Sequence, residues 1–76
     1  MINTAIEKLK TFIYKDTQLL VHEGDMHVVW SCKTLQNFKC LIYTPTLKMY
    51  FELTYDGDKN KWYIDGYQKV KNEEIA

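Results

Sequence analysis

Arginine is absent from the 76 residues, and ten lysines are matched by ten carboxylates, so the formal net charge is zero. Nucleic acids and anionic membranes are held mainly by excess positive charge, and this chain carries none. Local lysine patches remain, but no run of them dominates a segment. Cysteine is equally sparse. Two residues, Cys32 and Cys40, are too few for the disulfide framework that staples small secreted domains. No apolar stretch approaches the ~20 residues of a membrane span, and the first residues lack the basic-then-apolar order of a secretory leader. A cytoplasmic protein with reduced thiols is the expectation. The one proline, Pro45, falls between two strand-like segments, and the chain has neither internal repeats nor low-complexity tracts.

What the chain does have is aromatic side chains: six Tyr, three Phe and two Trp. With 46% hydrophobic residues, this composition specifies a folded domain rather than disorder. A chain this short buries only ~60% of the surface its unfolded form exposes, which leaves a marginal core.

Residues 4–23 carry a helical signal. Thr4-Ala5-Ile6-Glu7 has the form of a capping box, and Ile6, Leu9, Phe12, Ile13, Leu19 and Leu20 recur on one stripe. Gly24 then suits the left-handed position that ends a helix. Asp16 disagrees, because at 100° per residue it lands inside that stripe between Phe12 and Leu20. Three readings account for it: a helix that restarts at Asp16, a helix end that overhangs the sheet, or a buried carboxylate.

Downstream the period changes to two. Met26, Val28, Trp30 and Cys32 alternate with His27, Val29, Ser31 and Lys33, the pattern of a strand with one buried face. A loop over residues 35–39 leads to a second strand at about 40–44, with Cys32 facing Ile42. The third strand, at about 48–55, sets Met49, Phe51, Leu53 and Tyr55 against Tyr50, Glu52 and Thr54. Asp56-Gly57 supplies a tight turn through positive φ angles. A fourth strand from about Lys61 places Trp62, Ile64 and Val70 on one face and Tyr63, Asp65, Tyr67 and Lys69 on the other. Gly66 within it suggests a bulge or bend, and a short helix from about Asp65 is the competing reading. The expected architecture is a single small α+β domain over 1–76, one N-terminal helix packed on a four-stranded antiparallel meander sheet. Trp30, Ile42, Phe51 and Ile64 are expected under Leu9, Phe12 and Ile13.

Two segments carry a resemblance: Val28-Val29-Trp30-Ser31-Cys32-Lys33-Thr34-Leu35-Gln36-Asn37, and Tyr50-Phe51-Glu52-Leu53-Thr54-Tyr55-Asp56-Gly57-Asp58-Lys59 continuing through Tyr63-Ile64-Asp65-Gly66-Tyr67. Over roughly residues 26–70 the chain resembles a family of small proteins of unknown function from phages and prophages of Gram-positive bacteria. Phe38, Cys40 and Trp62 depart from that pattern. The resemblance implies a setting, the cytosol of an infected bacterium, and supplies no catalytic or binding residues.

The chemistry-bearing motifs read mostly as structure. Asp56-Gly57-Asp58-Lys59-Asn60 imitates the opening of a calcium loop, but Lys61 stands where that loop needs Gly and Tyr67 where it needs Glu. A hairpin turn is the ordinary role of such residues. His22, His27, Cys32 and Cys40 match no zinc spacing; the two cysteines read as a core pair, with a disulfide as the alternative. His27 shares Ser31's face but lies too far along the strand to serve it as a base. Glu52 and Asp65 could be close on adjacent strands, where paired carboxylates are usually solvated. No enzyme, cofactor or metal is expected.

The sheet face opposite the helix is more informative. Val29, Leu41, Tyr43, Tyr50, Tyr63 and Tyr67 all project there by parity. Tyrosine packs well on pleated surfaces and keeps its hydroxyl wet, which is the ordinary explanation. Contiguous aromatic surface also marks interfaces. The expectation is a phage accessory protein that binds and inhibits a host protein through these residues. Two alternatives are a homodimer that uses the same face and a weak single-stranded nucleic-acid binder with Lys33, Lys39, Lys48 and Lys69 around it.

Overall fold

The computed structural model describes residues 1–68. Helix α1 spans Ile2–Thr17, a 3₁₀ turn covers Glu23–Asp25, and four strands follow: β1 His27–Thr34, β2 Asn37–Thr44, β3 Met49–Asp56 and β4 Lys61–Gln68. The strands form one antiparallel meander in the order β1-β2-β3-β4. The α+β architecture is as the sequence predicts. The strand reading also holds through Gln68, against a helix from Asp65; Lys69 and Val70 lie outside the described residues.

The helix is shorter than its periodicity suggests. Gln18 takes a left-handed conformation (φ 61°) and its N–H donates to the Tyr14 carbonyl at 2.7 Å, closing the last turn six residues before Gly24. Thr17 explains the stop. Its hydroxyl donates to the Ile13 carbonyl at 2.8 Å and accepts the Leu19 N–H at 3.1 Å, offering the backbone local partners in place of another helical turn. Leu19 and Leu20 therefore leave the stripe and are exposed, and Val21 and Met26 anchor the connection to the core. The expected capping box does not form: Met1 is the N-cap and Thr4 lies inside the helix. Asp16 is exposed in the final turn, so the overhang reading accounts for it.

Ala5, Leu9 and Ile13 of α1 are buried with Cys40, Ile42, Phe51 and Leu53 of β2 and β3. Phe12 stays partly exposed while meeting Phe51 edge-on, centroids 6.3 Å apart at 72°. Beyond the helix, Trp62 meets Phe38 at 6.3 Å and Tyr55 at 5.1 Å, extending the core along the same face. Thr44 is the one buried polar residue among those described, and its hydroxyl donates to the Met49 carbonyl at 3.2 Å. The turn after it is held to the 3₁₀ segment by Asp25, whose carboxylate accepts the Thr46 N–H at 3.1 Å.

The largest departure from expectation lies in β1. Val28 pairs with Ile42, but Trp30 pairs with Leu41, so Val29 is an extra residue and the strand carries a β-bulge. Beyond the bulge the faces exchange. Ser31 falls opposite Cys40 and Lys33 opposite Phe38 on the helix side, while Trp30 and Cys32 fall opposite Leu41 and Lys39 on the other side. The cause is the hairpin. Thr34 pairs with Asn37 around a two-residue turn, Leu35-Gln36, rather than the expected five-residue loop. Leu35 takes a positive φ of 56°, the conformation such a turn needs and one that glycine normally supplies. That turn fixes a register out of phase with Met26 and Val28, and the bulge restores the phase. Trp30 is therefore not in the core: 41% of it is exposed.

The same shift separates the cysteines. Cys40 is buried and Cys32 exposed on the opposite face, so neither the core pair nor a disulfide between them forms. Burial pushes the Cys40 thiol above its ordinary 9.0, with a backbone hydrogen bond from Leu53 opposing. A folded-state pKa raised in this way stabilises the protein fully below the unfolded value, and the contribution is lost as pH rises above it. A thiol reagent at neutral pH should modify Cys32 within minutes and Cys40 only at the rate of unfolding. Two equally fast thiols by mass spectrometry would refute this face assignment.

Two glycines have close neighbours without needing a positive φ, and only at Gly57 does backbone leave no room for a Cβ. Gly57 has no positive φ; Asn60 supplies the left-handed residue of its turn (φ 52°). A Cβ on Gly57 would lie inside contact distance of the Gln36 carbonyl oxygen, because the two hairpin tips are locked together. Gly57 N–H donates to Asn37 Oδ1 at 3.0 Å, and Gln36 Nε2 donates to Asp58. Gly57→Ala should cost about 1–3 kcal/mol, lowering Tm by roughly 5–20 °C in a thermal melt. An unchanged Tm would mean the tips are not locked. Gly66 sits in an unbroken register opposite Phe51, without the expected bulge, and a Cβ there would come within 3.2 Å of Met49 and 3.4 Å of Phe51.

Candidate interaction face

Strand register assembles the face away from α1 in rows that cross all four strands. His27, Tyr43, Tyr50 and Tyr67 make the first row, and Trp30, Leu41, Glu52 and Asp65 the second. The third is Cys32, Lys39, Thr54 and Tyr63. Four of the six expected residues, Tyr43, Tyr50, Tyr63 and Tyr67, thus lie in the first and third rows. Leu41 lies between them, and Val29 stands at the bulge beside Trp30.

Their exposure differs. The Tyr43 and Tyr50 rings stack on each other, 4.7 Å between centroids at 39°, and both are half-buried. Toward the two edges Tyr67 is 51% exposed, Tyr63 46% and Val29 51%. The face therefore has a pre-packed aromatic centre flanked by open aromatic edges. No element among the described residues covers it, since the core residues of α1 all pack on the opposite side. Beside Trp30 a hollow of about 350 Å³, lined by Cys32, Thr34, Lys39 and Thr54, is open to solvent. Deep small-molecule sites enclose most of their ligand; this hollow suits a side chain laid across a surface.

Trp30 and Cys32 belong to this face, and parity alone does not place them there. Val28, Val29 and Trp30 are all bulky and apolar, so an inserted residue leaves no interruption in the pattern. The bulge also divides His27 from Ser31, which lie on opposite faces, so the sequence-level reading that they share one is corrected. The Asp56 carboxylate is engaged within its own loop, where Oδ1 accepts the Asp58 N–H at 3.0 Å and the Lys59 N–H at 3.4 Å, the arrangement of a turn. Among the described residues no three His, Cys, Asp or Glu side chains converge as a metal site.

Two carboxylates meet at the middle of the face. Glu52 and Asp65 are direct cross-strand partners, and Lys39 Nζ reaches Glu52 at 3.6 Å. The two carboxylates, which the sequence allows to be close on adjacent strands, are thus register partners, with tyrosines on either side of them.

No helix of the described residues is long and apolar enough to cross a membrane. No curated protein and no solved structure matches the chain. A family model does, over residues 2–76, helix included, and the protein belongs to that family of unknown function, DUF6275.

Proposed function

We propose that the protein is a phage accessory factor that binds a host protein in the cytosol of a Gram-positive bacterium and inhibits it, using the open face of the sheet. The observation that carries the binding role is the row of Tyr43, Tyr50 and Tyr67, with Trp30 and Tyr63 alongside, left uncovered by the described residues on a domain with little core to spare. Tyr and Trp supply large contact area at low entropic cost and are enriched where binding energy concentrates. The phage setting is supported by the resemblance of residues 26–70 described above. Inhibition is an action that a small binding module exerts by occupying its partner's surface.

Affinity capture from a Gram-positive host lysate tests this, with wild type and a Tyr50→Ser/Tyr63→Ser variant as parallel baits. A host protein retained by wild type and lost by the variant supports the reading. Identical captures contradict it. A stable dimer by light scattering at micromolar concentration would favour self-association, and a salt-sensitive gel shift would favour nucleic acid.

A further inference from the structure

We infer that the docked partner segment is basic and that the face receives one of its arginine or lysine side chains at Glu52 and Asp65. This rests on the open face being the binding surface. Glu52 and Asp65 stand directly opposite each other on β3 and β4. Like charges in that position oppose sheet pairing, and at the middle of its most aromatic surface the protein sets two carboxylates opposite each other, Asp65 being exposed to solvent. Among the described residues the only ion pair on this face is Lys39–Glu52 at 3.6 Å, with Lys39 45% exposed at its side chain, so Asp65 gains no described cation. On β4, Asp65 has Tyr63 and Tyr67 as its same-face neighbours, and Tyr50 pairs with Tyr67 across the strands. Carboxylates between aromatic rings attract cations twice over, through charge-assisted hydrogen bonds and through the ring quadrupoles.

The occupant follows from charge complementarity. Among the described residues this face presents the carboxylates Glu52, Asp56 and Asp65 against the lysines Lys39 and Lys61. An anionic polymer would meet repulsion at its centre. A second copy stacked by the same face would bring the same acidic excess and no arginine, and would bury Asp65 against like charge or apolar side chains, which is costly. A basic protein segment removes the like-charge contact on docking.

The test uses the whole ¹⁵N-labelled chain at fixed ionic strength, titrated with the blocked tripeptide Gly-Arg-Gly and, separately, with blocked Gly-Gln-Gly. The arginine peptide should shift amides of residues 50–54 and 63–67 at least fivefold more steeply than the glutamine peptide. That preference should vanish in Glu52→Gln/Asp65→Asn. Asp65→Asn alone should melt above wild type, since it removes the like-charge contact. Equal shifts from both peptides, or an arginine preference that survives neutralisation, would overturn the inference. So would shifts of the same residues with protein concentration alone, which would mean that a second copy covers the face. Lysate capture separates the two levels. If Tyr50→Ser/Tyr63→Ser loses the host protein and Glu52→Gln/Asp65→Asn keeps it, the face stands and the basic partner falls. If neither variant loses it, both fall.

Discussion

Phe51→Ala should unfold a large fraction of the molecules at physiological temperature. Phe51 is 3% exposed, pairs with Gly66 in the sheet, and meets the edge of Phe12 from the helix. Removing a ring from such a site leaves a cavity and costs ~3–5 kcal/mol. A chain of this length has roughly 4–11 kcal/mol of stability in total, so the loss is about a quarter of it at least. Chemical denaturation followed by circular dichroism reads this directly. A variant that melts within a few degrees of wild type would mean that α1 and the sheet do not pack as described.

The second large effect is on binding, and it leaves the fold alone. Tyr50→Ser/Tyr63→Ser removes one ring from the stacked centre and one from the open edge of the face, and neither residue belongs to the core. Each tyrosine buried at a contact contributes on the order of 2 kcal/mol. Affinity for the captured host protein should therefore fall by two or more orders of magnitude, at ~1.4 kcal/mol per decade. The far-ultraviolet dichroism should match wild type. A folded variant that binds as wild type does would make the sheet face ordinary surface.

The sequence discloses this face because β2, β3 and β4 alternate without interruption. Tyr43, Tyr50, Tyr63 and Tyr67 keep their parity through two hairpins, one of them marked by Asp-Gly. Strand β1 is different. Its hairpin turn is Leu35-Gln36, which carries none of the glycine or asparagine that normally announces a positive φ, and its bulge falls among three bulky apolar residues. Both features are tertiary compromises between a register set by the turn and one set at the start of the strand, where Met26 is buried and Val28 pairs with Ile42. The helix end was hidden for a similar reason. Leu19 and Leu20 extend the apolar stripe in sequence, while the Thr17 hydroxyl ends the helix through local hydrogen bonds. Gly57 was legible as a turn residue, but the space it leaves for Gln36 depends on two loops distant in sequence.

Hydroxyl-radical footprinting of the protein, free and bound to its captured host protein, tests the central claim most directly. Trp30, Tyr63 and Tyr67 are about half exposed on the open face, and Tyr14, 50% exposed on the helix, is an internal control of the same kind. Binding through the sheet predicts that oxidation of Trp30, Tyr63 and Tyr67 falls severalfold while Tyr14 is unchanged. Protection of Tyr14 with Trp30, Tyr63 and Tyr67 unprotected would contradict it, and would move the interface to the polar side of the helix with Lys8 and Lys15.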